Sequence, residues 1–111
     1  LPIYLESILN NLFSNAIKFR KQDKNPVIVI SAKKQRFFTI VKIEDNGIGI
    51  DLDKYKDQIF TPYRTGTDNS STRGMGLYLV KYQIELMKGK IEVESTVGEG
   101  TSFHLYFPNQ L

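Results

Sequence analysis

Two periodicities run through the chain. From residue 3 to about 20, Leu5, Ile8, Leu9, Leu12, Phe13, Ala16 and Ile17 recur at spacings of three and four, which predicts a helix with one apolar stripe. Val27 to Ala32 and Phe37 to Ile43 are instead β-branched and apolar, two strands of an antiparallel hairpin about Lys33, Lys34, Gln35 and Arg36. Pro26 closes the polar stretch between helix and hairpin and argues that the helix has ended. Asp51 to Phe60 reads as a short helix opening at Asp51, with Tyr55, Ile59 and Phe60 inward. Leu77, Val80, Ile84 and Met87 mark a third helix, with Gly89 as the stop just past its end. Lys90 to Ser95 and Thr101 to Phe107 read as strands joined by a tight turn at Gly98, Glu99 and Gly100. In the last strand Phe103, Leu105 and Phe107 share one face, and His104 and Tyr106 take the other.

This order predicts an α+β fold, a two-layer α/β sandwich with three helices on one face of a mixed, mostly antiparallel sheet. The 111 residues suit a single domain, 1–111, with one hydrophobic core. With no cysteine, the chain has no disulfide framework, thiolate metal site or catalytic thiol. No apolar run approaches a membrane span, and no secretory signal is expected. The net charge of +3 is modest and spread out, and its densest cluster falls at the hairpin tip, a solvated position. Basic stretches with interleaved aromatics are lacking, so no nucleic-acid partner is expected.

Three stretches carry candidate chemistry. Asn11, Asn15 and Lys18 lie within about 60° of one another on a helix, beside the apolar stripe. Asparagine is a mediocre helix former, so two of them one turn apart look placed: two amide oxygens for a hard cation and an ammonium for phosphate. The alternative is a plain polar flank. At Asp45 an acid ends a strand and is followed at once by Asn46, Gly47 and Gly49. A carboxylate there accepts hydrogen bonds and donates none, which suits an exocyclic amine such as that of adenine, although Asn-Gly after a strand also suits an ordinary hairpin turn. Thr61 to Arg73 has four Thr, two Ser and one Gly and almost nothing to bury, the composition of a lid or binding loop bracketed by Arg64 and Arg73. Gly74 and Gly76 then open a helix, where a phosphate can reach free N–H groups.

Together these pieces resemble the ATP-binding catalytic domain of a bacterial two-component sensor histidine kinase, within the superfamily that also holds gyrase, chaperone and mismatch-repair ATPases and shares the Bergerat-type fold. The resemblance covers essentially the whole chain. Asn11 to Phe19 (NLFSNAIKF) resembles the asparagine box, Asp45 to Gly49 (DNGIG) the first glycine box and Ile59 to Tyr63 (IFTPY) the phenylalanine box. Gly74 to Leu77 (GMGL) resembles the second glycine box and Gly98 to Thr101 (GEGT) the last. Five boxes in order are specific where any one is not.

The resemblance implies roles position by position. Asn15 would bind Mg²⁺, with Asn11 as a second or water-mediated contact. Lys18 would neutralise phosphate and Phe19 would sit against the base or ribose. Asp45 would accept from the adenine amine, Gly47 and Gly49 would let the nucleotide approach, and Thr101 would reach the adenine end through water. Residues 61–74 would form the ATP lid, with Arg64 and Arg73 near the terminal phosphate, and Phe60 and Leu77 would line the nucleotide site with Gly74 and Gly76 by the phosphates. The second glycine box departs from the family, because Thr72 and Arg73 stand where a leading glycine is usual.

The hydrolysing relatives are similar to one another in carrying a glutamate four residues before the metal-binding asparagine. Asn11 occupies that position here and is a poor base, which favours transfer to a protein nucleophile over hydrolysis. The implied enzyme is an ATP-dependent protein-histidine kinase with ATP and Mg²⁺ as cofactors and Asn11, Lys18 and Arg64 as its catalytic residues. The implied partners are a phosphoacceptor histidine hairpin, in cis or from a dimer partner, and a response-regulator receiver domain. That hairpin lies outside this sequence, which starts at the first helix. A cytoplasmic domain is expected, monomeric alone, in a longer homodimeric protein that can be membrane-anchored. Two alternatives stand beside it: a nucleotide-binding regulatory module without transfer, and an anti-sigma-type serine kinase relative.

Overall fold

A computed structural model describes residues 4–61 and 75–109. In chain order the elements are α1 (Leu5–Lys18), β1 (Ile28–Lys34), β2 (Phe38–Asp45), α2 (Leu52–Tyr55), α3 (Met75–Leu86), β3 (Lys90–Thr96) and β4 (Gly100–Pro108). The strands form one sheet in the order β1-β2-β4-β3, and every described pairing is antiparallel. The three helices and this sheet make the expected α+β sandwich.

The core follows from the two periodicities. On α1, Ile8, Leu12 and Ala16 recur every four residues and are buried, and on α3 Leu77, Val80 and Ile84, spaced three and four apart, are buried too. Ile8 and Leu12 of α1 and all three of α3 cluster with Ile43 of β2, Phe103, Leu105 and Phe107 of β4, and Ile59. Each fully buried aliphatic side chain contributes about 1.5–3 kcal/mol. Ile17 departs from the predicted stripe: it is 44% exposed, on the flank of α1 that turns away from the core. The opposite face of the sheet is polar and carries an ion pair between Lys42 and Glu44 at 2.9 Å, and His104 Nε2 lies 3.6 Å from Glu94 Oε1.

Local signals mark the element ends. Asp51 caps α2 by accepting from the Lys54 N–H, but the helix is one turn long, and residues 56–60 continue as turns. At the end of α3 the structure differs from the expected glycine stop. The residue in the left-handed region is Lys88, with φ 65°. Its N–H donates to the Glu85 carbonyl at 3.0 Å and the Gly89 N–H to the Ile84 carbonyl at 2.9 Å, the two bonds of a Schellman motif. Gly89 is needed for another reason, because a Cβ there would collide with the Tyr106 carbonyl of β4.

Candidate functional site

The strand register builds the site. Val41, Ile43 and Asp45 follow one another on the inner face of β2, so the carboxylate continues the face that packs the core. Across the sheet Asp45 pairs with Thr101 of β4, and Thr101 pairs with Ser95 of β3. One level deeper the same three strands carry Ile43, Phe103 and Val93. The inner face therefore ends in one polar row laid over apolar rows.

Hydrogen bonds fix that row. Asp45 Oδ1 accepts from the Gly47 N–H at 2.9 Å and the Thr101 N–H at 3.3 Å, and no described residue donates to its Oδ2. Burial pushes the Asp45 carboxyl above its ordinary value, while these two N–H groups pull in the opposite direction without cancelling it. Around the row the backbone is stitched together. The Ile48 N–H donates to the Phe19 carbonyl at 2.9 Å and the Gly98 N–H to the Ile48 carbonyl at 2.8 Å. The Lys21 ammonium also donates to the Gly98 carbonyl. Two glycines are forced by these approaches: a Cβ on Gly47 would lie 2.6 Å from the Phe19 carbonyl oxygen, and Gly49 has φ 79° with the Thr96 carbonyl against it.

Above the polar row lies a slot lined by Asn15, Phe19, Asp45, Gly49, Ile50, Thr101 and Phe103. Its enclosed volume is about 20 Å³, room for about one water, so a flat ring would have to part its walls to enter. From Asn15 the site runs one helical turn back along α1 to Asn11. A Cβ on Gly76 would sit 3.5 Å from Asn11 Oδ1, which places the start of α3 beside that amide. Lys18 is exposed on the same helix. A carboxylate, two amides and a helix start thus follow one path from the sheet to the α1–α3 seam, with Lys18 past Asn15 at the C-terminal end of α1.

Of the residues singled out from the sequence, Asn15, Phe19, Asp45, Gly49 and Thr101 line this slot, with Gly47 beside Asp45 and Asn11 beside Gly76. Two others lie elsewhere. Leu77 is buried in the core, only 6% exposed. Phe60 lies under the Lys81 ammonium, 5.5 Å away, and lines a separate open groove of about 660 Å³ along the free edge of β3. That groove is the roomier hollow, yet its walls mix Lys56 and Lys81 with Asp57, Glu92 and Glu94 and hold none of the convergent acceptors of the slot. Arg64, Arg73, Gly74 and most of the predicted lid lie outside the described residues. Sequence reasoning missed Ile50, Phe103 and Ser95, whose place at the site comes from long-range packing and pairing. Asn46 is structural: its side chain accepts from the Val27 N–H and donates to the Asn25 carbonyl, holding the linker after α1.

A small two-layer sandwich with an acid-ended strand, a glycine turn and paired asparagines on the facing helix is the architecture of an ATP-binding domain. Over residues 1–111 the chain matches the family of histidine kinase-, DNA gyrase B-, and HSP90-like ATPases, and it belongs to that family. It is 39% identical to cyanobacterial phytochrome A of Nostoc sp. over 94% of this chain and 14% of that one. It is 39% identical to the sensor protein BceS of Halalkalibacterium halodurans, over 96% and 32% respectively. With the autoinducer 2 sensor kinase/phosphatase LuxQ of Vibrio vulnificus it shares 35% identity over 96% of this chain and 13% of that protein. These relatives set it among the ATP-binding domains of sensor histidine kinases, and the chain spans about a third or less of their length. No helix among the described residues is long and apolar enough to cross a membrane.

Proposed function

We propose that this domain binds Mg·ATP and donates the γ-phosphate to a histidine on a separate phosphoacceptor domain, as one step of two-component signalling. The observation that carries the reading is the convergence of Asp45, Thr101, Asn15 and Phe19 on one slot, with Asn11 leading from it to the start of α3. Asp45 Oδ2 takes the adenine amine, and Thr101 the same edge through water. Asn15 and Asn11 are the oxygen donors for Mg²⁺, which neutralises phosphate charge when bound. Lys18 adds a cation on the same side, with Arg64 and Arg73 from the lid, and Gly74 and Gly76 let the phosphates reach the helix start.

In the transfer an imidazole nitrogen of the acceptor forms a bond to the γ-phosphorus as the bond to the bridging oxygen breaks, and ADP leaves. Such a reaction needs positioning and charge neutralisation more than covalent help. Asn11 agrees with this division, since a neutral amide beside Gly76 activates no water. The acceptor hairpin and a receiver domain downstream are the proposed partners, in a longer protein that acts as a homodimer and can be anchored at a membrane from its cytoplasmic side.

Calorimetric titration with ATP, with and without Mg²⁺, tests the binding half, with Asp45→Ala as the control. Micromolar binding that needs Asp45 and Mg²⁺ is expected, and absence of binding by the wild type rejects the reading. Incubation with radiolabelled ATP and a supplied histidine hairpin tests the transfer half. Binding without label on any histidine would make the domain a nucleotide-sensing module instead.

A further inference from the structure

Ser95 lies on β3, outside every motif that suggested the site, yet it stands at the end of the polar row. Its Oγ is 2.8 Å from the Ile50 N–H, 2.9 Å from the Gly100 carbonyl oxygen and 2.7 Å from Thr101 Oγ1. One hydroxyl thus ties together the turn after β2, the start of β4 and the threonine of the slot.

Proton counting decides how these bonds run. A serine hydroxyl has one proton and two acceptor lone pairs. The Ile50 N–H can only donate, so it takes one lone pair. The Gly100 carbonyl can only accept, so it takes the proton; otherwise two oxygens would face each other at 2.9 Å with nothing between them. The remaining lone pair can serve Thr101 only if Thr101 donates. The Thr101 proton is therefore turned away from the slot, toward β3, and what Thr101 offers the slot is lone pairs. Beside it Asp45 keeps Oδ2, also an acceptor.

We propose that Ser95 is a specificity-determining positioning residue: by holding the Thr101 proton it makes the polar row acceptor-only, and so selects a 6-amino over a 6-oxo purine nucleotide. This rests on the nucleotide reading of the slot and goes beyond it. An exocyclic amine has two protons for two acceptors, Asp45 Oδ2 directly and Thr101 directly or through a water. A 6-oxo group brings only lone pairs to the same place, and the single N1–H beside it can serve one of the two acceptors but not both. A site whose polar groups are left unpaired by the wrong ligand discriminates far better than one that only fits shape.

The test is the ratio of dissociation constants for inosine triphosphate and ATP, both with Mg²⁺, measured by calorimetry on the wild type, Ser95→Ala, Thr101→Val and the double variant. Ser95→Cys repeats the comparison with a near-isosteric side chain and a weak donor, in case the alanine variant unfolds. The wild type is expected to favour ATP at least tenfold. Ser95→Ala or Ser95→Cys frees the Thr101 proton to turn into the slot, and should shrink the ratio several-fold. In the Thr101→Val background the same change should leave the ratio alone, because the effect runs through that hydroxyl. Equal weakening of both nucleotides at a constant ratio would make Ser95 a brace and overturn the inference while leaving the nucleotide reading intact. An unchanged Ser95 effect in the valine background would also overturn it. A wild type that binds neither nucleotide rejects the reading and this inference together.

Discussion

At the sheet end of the slot the polar groups are already held: Asp45 Oδ1 by two N–H groups, and Thr101 by Ser95. Along α1, the side chains of Asn11, Asn15 and Lys18 make no hydrogen bond to another described residue, although Asn11 and Asn15 are half-buried. At the sheet end the acceptors are aligned before anything binds, so a ligand that parts the walls of the slot finds them already oriented. The helix end offers oxygens and an ammonium whose arrangement a ligand or ion completes. Aligned acceptors suit recognition of a flat base; an open end suits a group that must leave. Substitutions at the two ends should therefore act differently on stability and on binding.

The largest effect is expected where the sheet end is stitched to the backbone. Gly49→Ala places a Cβ against the Thr96 carbonyl in a left-handed conformation, φ 79°, and should destabilise the fold by more than about 2 kcal/mol and abolish nucleotide binding with it. Gly98→Ala separates strain from collision, because Gly98 has φ 88° and nothing within 4 Å of an added Cβ. It should lose only about 1–2 kcal/mol, the conformational part. Urea unfolding checks both: the midpoints should fall in that order at constant slope. Equal losses would mean that the approach of Thr96 does not matter.

Next comes Asp45→Asn, which keeps an oxygen for the Gly47 and Thr101 N–H groups and turns an amide donor toward the slot. ATP affinity should fall about 10–100-fold, the loss of one charge-assisted hydrogen bond. Stability should not fall with it. Burial raises the Asp45 carboxyl above its ordinary value, so its ionised form is the one the fold disfavours. The asparagine variant's relative stability should therefore be greatest at neutral pH and disappear as pH falls through the carboxyl's range and the wild-type side chain is neutralised. Wild-type ATP binding should weaken on acidification with a midpoint above 3.8, the usual aspartate value. A midpoint at or below that value breaks the assignment of Asp45 as the buried acceptor.

A smaller effect belongs to the open end. Lys18 is exposed, so Lys18→Ala should leave stability and adenosine binding unchanged and weaken ATP about tenfold at low salt, less as salt screens the charge. Loss of adenosine binding would erase the division between the two ends.

How far each end was legible in the sequence follows from the same difference. Asp45 could be read because it continues the period-two run of Val41 and Ile43, and Asn11, Asn15 and Lys18 because helical spacing puts them on one stripe. Both are local patterns. Ser95 could not be read, since its partner Ile50 is 45 residues away and only the β3–β4 pairing reveals what its hydroxyl meets. Phe60 and Leu77 carry motif identity, but packing decides where they face, and it sends one to the core and the other under Lys81. Ile17 fits the apolar stripe of α1, yet the stripe's width depends on which flank α3 covers, and that is a tertiary fact.

The smallest expected effect tests whether stability can change without touching either end. Lys88 occupies the left-handed position of the Schellman motif that closes α3, where a side chain is strained and glycine is not. The sequence pattern puts a glycine one residue later, where Gly89 is held by the approach of the Tyr106 carbonyl instead. Lys88→Gly should relieve the strain, partly offset by the greater freedom of glycine in the unfolded chain. The expected gain is about 0.5–1 kcal/mol, since a left-handed non-glycine residue costs about 1–2 kcal/mol. The two hydrogen bonds of the motif come from backbone groups and survive the change. Thermal unfolding should show a higher midpoint, and the ATP titration should superimpose on the wild type. A changed affinity would mean that the far end of α3 is coupled to its start, and that the open end of the slot owes part of its arrangement to the whole helix.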